Sequence, residues 1–146
     1  MKHDLRTVFV FMVTVIASIT AHAADIPPIM KVTYAGKLSS EPVLVQVIAV
    51  PGVSTEAVQD AIVRAASNRK WTVETLDDGT VQTKLVHRAN ESTLTFKVKN
   101  EKIEIYSVSY KIDKKTQARK GREEPEGWIR NLHKDILALL GLLPKS

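Results

Sequence analysis

The sequence predicts an α+β domain. Its form is a two-layer sandwich in which an antiparallel sheet, ordered strand, helix, four-strand meander, helix, carries both helices on one face. Three observations predict it. An uncharged, largely β-branched run from Val43 to Val50 precedes an alanine-rich stretch at helical spacing, Ala57 to Ala66. Four strand-like segments then lie between Trp71 and Ile112, separated by short turns such as Asp78-Gly79 and Asn100-Glu101. A second helical stripe closes the chain at Trp128, Ile129, Leu132, Ile136, Leu139 and Leu140.

The chain begins with a leader. Lys2 and Arg6 give a short positive start, although Asp4 is unusual there, and an apolar run from Val8 to Ala17 follows. It ends at Ala21-His22-Ala23, with small residues at the two positions that signal peptidase reads. A spanning helix needs roughly 20 apolar residues, and Ser18, Thr20 and His22 interrupt this run first. Residues 1–23 are therefore expected to be a cleaved signal peptide, with Ala24 as the mature N-terminus in the periplasm or outside the cell. No transmembrane segment is expected after cleavage. The chain contains no cysteine, which excludes lipid attachment through a thiol, disulfides, thiolate metal sites and a cysteine nucleophile.

Of 21 basic and 16 acidic residues, Lys2, Arg6 and Asp4 fall in the leader, which leaves 19 against 15. That mild excess permits attraction to anionic polymers without demanding it. Residues 24–42, with Pro27-Pro28, Gly36 and Pro42, read as an extended lead-in holding a short strand at Met30, Val32 and Tyr34. Residues 43–146 form the single domain.

Within the domain, Val43 to Val50 fits an inner or doubly buried strand, broken by Pro51-Gly52. Ser54 is placed to cap the first helix, with Glu56 near its positive end. Ala57, Val58, Ala61, Ile62, Ala65 and Ala66 make its apolar side. Trp71 to Leu76 pairs through Asp77-Asp78-Gly79 with Thr80 to Arg88, in a hairpin whose two-residue turn takes positive φ at both positions. Ala89-Asn90-Glu91 turns the chain into Ser92 to Lys99, where Leu94, Phe96 and Val98 alternate with Thr93, Thr95 and Lys97. Lys102 to Ile112 is the last strand, and its slip in alternation near Tyr106-Ser107 predicts a bulge there. Lys111 to Gly127 reads as a charged loop. Pro125 suits the first position of the second helix, which Gly141 and Pro144 close. The face opposite the helices is expected to be wet and to carry Thr72, Glu74, Gln82, Lys84, Arg88, Thr93, Thr95, Lys97, Lys99 and Glu104.

Two stretches carry a resemblance. Ala61-Ile62 through Ala65 to Arg69-Lys70-Trp71-Thr72-Val73 and Trp128-Ile129-Arg130-Asn131-Leu132-His133-Lys134-Asp135-Ile136 resemble a family of small uncharacterised bacterial periplasmic proteins and lipoproteins. The resemblance implies a similar fold and location and assigns no biochemical role. The chain departs from it at Lys70, where relatives usually have glycine, in lacking the lipid-bearing cysteine, and in Arg122 to Gly127, which lack the family's His and Tyr-Asn.

No catalytic residue and no metal or cofactor site is expected. Of the two histidines outside the leader, His87 falls on the apolar side of its strand near the end, and His133 at the margin of the second helix's stripe. A metal site needs three or four converging ligands, and no ligand spacing pairs with His87. Nucleophilic catalysis needs a base beside an exposed Ser or Thr, and no G-x-S-x-G or S-x-x-K context occurs. Trp71 and Trp128 at this spacing read as core. The residues with a claim to binding are Trp128, Asn131 and His133 on the second helix, and the basic run Lys114, Lys115, Arg119, Lys120 and Arg122. Nucleic acid is disfavoured as a partner, since export removes it and the run lacks interleaved aromatics. Three function classes follow: a non-catalytic module binding an envelope protein or anionic polymer, a small hydrolase built around Asn131 and His133, and an electrostatic surface binder using Lys111 to Arg122.

Overall fold

The computed structural model describes residues 27–143. The leader, its cleavage positions Ala21, Ala23 and Ala24, and Pro144 lie outside the described residues. The elements are β1 (Val43–Ala49), α1 (Thr55–Asn68), β2 (Thr72–Thr75), β3 (Val81–His87), β4 (Asn90–Lys99), β5 (Lys102–Ile112), β6 (Arg119–Arg122) and α2 (Glu126–Leu139). The described residues are thus α+β, with one antiparallel sheet of six strands and two helices. The sheet runs β1-β5-β4-β3-β2, and β6 adds to β5 beside the meander.

Alternation sorts the sheet into two faces. Leu94, Phe96, Ile103 and Ile105 are fully buried from one side and join one cluster with residues of both helices. Val58, Ala61, Ile62, Ala65 and Ala66 come from α1, and Ile129, Leu132, Ile136 and Leu137 from α2. Each large aliphatic or aromatic member contributes about 1.5–3 kcal/mol through removal from water. The opposite face is polar: Thr72, Glu74, Lys84, Lys97 and Lys99 are exposed, and Thr93, Thr95 and Glu104 half-buried. Among the described residues no helix is long and apolar enough to cross a membrane.

Several local expectations change. Met30, Val32 and Tyr34 form no strand; one backbone bond, Met30 N–H to Val45 C=O at 2.9 Å, ties this segment to β1. Among the described residues β1 is an edge strand, not an inner one, because β5 is its sole partner strand there. The bulge lies in β1, at Val45 between Leu44 and Gln46, and β5 pairs with β4 without a break. The apparent slip in β5 has another cause. Ser107 and Ser109 occupy buried positions on the apolar face, with the Ser109 hydroxyl bonded to those of Ser92 and Ser107 at 2.7 Å each, while Tyr110 is buried from the other side.

The turn after β2 uses three residues, Asp77 to Gly79. Gly79 N–H reaches Leu76 C=O at 2.9 Å, and of the three only Gly79 has positive φ, 82°. This is a type I turn followed by a left-handed glycine. The β3–β4 turn is Arg88-Ala89, one residue earlier than expected, with Arg88 at φ 56°. Lys111 to Gly127 is not all loop, since β6 lies within it. Pro125 is the N-cap of α2 and not its first residue. In α2 the buried stripe takes in His133 and Leu137, whereas Leu139 is 38% exposed.

Candidate functional site

The helix-borne candidates separate once α2 is in place. Trp128 is half-buried, edge-on to Trp71 with ring centroids 5.8 Å apart, and the exposed His87 ring tilts toward it at 6.3 Å. Asn131 is half-buried. His133, one turn from Ile129 on the packed side, is 2% exposed, and its Nδ1 has no hydrogen-bond partner. Burial alone pushes its pKa down to about 4. The imidazole is therefore neutral and out of a substrate's reach.

The basic run folds into a hairpin. Asp113 accepts the backbone N–H groups of Lys115 (2.9 Å) and Thr116 (3.0 Å), and Gln117 takes φ 60° to turn the chain back into β6. Those two amides, with Lys120 at 3.3 Å, hold the Asp113 carboxyl down at about 2. Arg119 bonds Glu91 at 2.5 Å and stacks 4.1 Å from the Tyr110 ring. Lys111 stands 3.9 Å from Glu123. Lys114 and Lys115 are exposed at the tip. Four of the six basic residues from Lys111 to Arg122 are thus paired: Lys111, Lys120 and Arg122 with the nearby Glu123, Asp113 and Glu124, and Arg119 with Glu91, which sequence distance hid.

Arg122 belongs to a different environment. Its side chain is 1% exposed. β1 pairs with β5 up to Ser107, and β6 ends with Arg122 opposite Tyr110, which leaves a notch along one edge of β5. The Arg122 guanidinium fills it. Nη1 donates to the carbonyls of Ser39 (2.9 Å) and Glu41 (2.8 Å), and Nη2 to Ser107 (2.9 Å) and Glu124 (3.5 Å). Tyr34 lies under the guanidinium at 4.6 Å and donates to Glu124 at 3.0 Å. Burial, reinforced by the Glu124 carboxylate, pushes the Tyr34 phenol up to about 12. Tyr110 donates to Ser39 C=O at 2.9 Å. This cluster ties the lead-in to the sheet. Tyr34, Tyr110 and Glu124 carry no local signal, because they meet only when residues 34–41 lie against β5 and β6.

Two cavities flank Tyr34. One of about 400 Å³ is lined by Gly36, Lys37, Gly121 and Arg122, the other of about 510 Å³ by Ile29, Met30, Val32, Lys31 and three glutamates. Arg122 and Glu124 each contribute to the wall of one cavity, although Arg122 Nε and Glu124 Oε2 are themselves buried without partners.

A further polar surface is the sheet face opposite the core. Lys84 of β3, Lys97 and Lys99 of β4 and Lys102 of β5 are all exposed there. No protein-family model, no curated protein and no solved structure matches the chain.

Proposed function

We propose that the chain is exported and works in the periplasm, or beyond the cell, as a non-catalytic accessory module that binds another envelope component. The export half of this reading rests on the leader: a positive start, a short apolar run and the Ala21-His22-Ala23 end. The resemblance to small periplasmic proteins and lipoproteins points the same way. The observation that carries the binding half is the sheet face opposite the core, a polar, lysine-bearing surface that the chain's own core leaves exposed. The hydrolase built on Asn131 and His133 loses its base, because His133 is buried and neutral. An electrostatic binder based on the run from Lys111 to Arg122 loses most of its charge to Asp113, Glu91, Glu123 and Glu124.

Two measurements test the reading together. The intact mass and fractionation of the expressed protein should give a species starting at Ala24 in the periplasmic fraction. Crosslinking in intact cells should then capture that species with an envelope component. A full-length form in the membrane would make the leader an anchor, and a chain recovered only as a free monomer would count against binding.

A further inference from the structure

We infer that the sheet face opposite the core is a docking track for an anionic polysaccharide bearing carboxylate or phosphate groups. This rests on the reading of the chain as a binding module and names the ligand class and the residues. Lys84, Lys97, Lys99 and Lys102 share the face by strand alternation and register. Among the described residues none of the four forms an ion pair. Lys99 and Lys102 stand directly opposite each other across β4 and β5. Like charges so placed cost stability, and an anion lying between them would offset that cost. Glu104 faces Lys97 in register, yet its carboxylate accepts the Tyr106 hydroxyl at 2.6 Å, and Lys97 Nζ sits 5.0 Å from the Tyr106 ring centroid instead. The acid directly across from Lys97 is thus turned to a phenol, while Glu74 shares the face opposite Gln82 and Asp78 stands near Lys97.

The composition between the lysines favours a sugar chain over a bilayer. Gln82 and Thr95 face each other between Lys84 and Lys97, both half-buried, and offer amide and hydroxyl groups to sugar hydroxyls. From the level of Lys84 to that of Lys99 and Lys102 the track is about 20 Å long, at about 3.4 Å per residue. Of the exposed large apolar side chains, Val86 shares this face, one pleat beyond Lys84 at the end of the track, and Leu76 follows β2. Met30, Leu38, Leu139 and Leu143 lie off the sheet, so the stretch from Lys84 to Lys99 and Lys102 carries little to insert into lipid.

The test is affinity electrophoresis of the expressed chain, as the cell processes it, in gels containing polygalacturonate, dextran sulfate or neutral dextran. Co-sedimentation with phosphatidylglycerol vesicles runs beside it. Both anionic polymers should retard the protein and dextran should not. The double variant Lys97→Glu/Lys99→Glu should weaken retardation by about tenfold or more, whereas Lys114→Glu/Lys115→Glu should change it by less than about twofold. Lys97→Gln/Lys99→Gln should give an intermediate loss, which keeps the test sound if charge reversal perturbs folding. Unchanged retardation of the sheet variants, an equal loss in the hairpin variant, or tighter binding to the vesicles would overturn the track. In-cell crosslinking of the sheet variant separates the two levels. A partner that persists there overturns the polysaccharide track and leaves the binding module standing, while no partner with the unaltered protein overturns the module itself.

Discussion

His133 and Arg122 were both read as candidates for binding, and both are buried for opposite reasons. Arg122 is surrounded by three carbonyls, a carboxylate and two tyrosine rings, so its charge is compensated within the fold. His133 has no such compensation, and burial holds its pKa at about 4 against an ordinary 6.5. Below pH 6.5 the unfolded chain takes up a proton that the folded chain refuses until about pH 4. Stability from this group is therefore complete above pH 6.5 and is lost as pH falls through that window, by at most about 3 kcal/mol. His133→Leu should remove the dependence. Urea unfolding at about pH 7 and about pH 4.5 should show a larger drop for the unaltered protein than for the variant; equal drops would assign the acid sensitivity to other groups. The 3.6-residue spacing placed His133 only at the stripe's margin, since spacing reports which side a residue is on and not how deeply its neighbours close over it.

At the scale of elements, the two helices end in one geometry with different residues. α2 stops at Leu140, Gly141 takes φ 68°, and Leu142 N–H returns to Leu137 C=O at 2.9 Å. α1 stops at Arg69, Lys70 takes φ 65°, and Trp71 N–H returns to Ala66 C=O at 3.0 Å. Both are left-handed terminations with an apolar residue folded back on the helix. A side chain costs about 1–2 kcal/mol in this conformation, and glycine does not. Lys70→Gly should therefore raise stability by about 1 kcal/mol in urea unfolding, the partial gain reflecting glycine's greater freedom in the unfolded chain. A loss would mean that the Lys70 stem packs favourably. Element identities were legible for the same local reasons: Ser54 does cap α1, bonding Ala57 N–H at 3.2 Å, and Asn100-Glu101 does turn, with φ 53° and 56°. β6 was not legible. Arg119-Lys120-Gly121-Arg122 has no apolar alternation, and it is a strand only because β5 offers a free edge beyond the end of β1.

For the whole molecule, the lead-in is structural. Gln46 Nε2, on a residue 1% exposed, donates to Pro27 C=O at 2.8 Å; Arg122 N–H donates to Lys37 C=O at 2.9 Å. Ser39 and Glu41 take both bonds from Arg122 Nη1. A chain beginning at residue 43 would strip Gln46 and Tyr110 of the side-chain bonds given above and Arg122 of two of its four. Each such group costs about 1–3 kcal/mol, more where it is charged. The truncated chain should therefore lose at least about 3 kcal/mol in denaturant unfolding relative to one beginning at Ala24; equal stabilities would make the lead-in dispensable. The sheet and helices were legible because their patterns are local. The lead-in's anchoring was not, because it depends on a notch formed by β1, β5 and β6 together.

That anchoring also sets an order in time. β1 has one partner strand, β5, which lies across the whole of α1 and the β2–β4 meander in sequence. The lead-in in turn grips groups as late as Arg122 and Glu124. Contacts this distant in sequence close slowly relative to hairpins, so the β2–β5 hairpins are expected to form first. The lead-in, made before everything it grips, would then be the last of the described segments to dock. Residues 27–49 therefore have nothing to fold onto until β5 and β6, near the far end of the sequence, are in place.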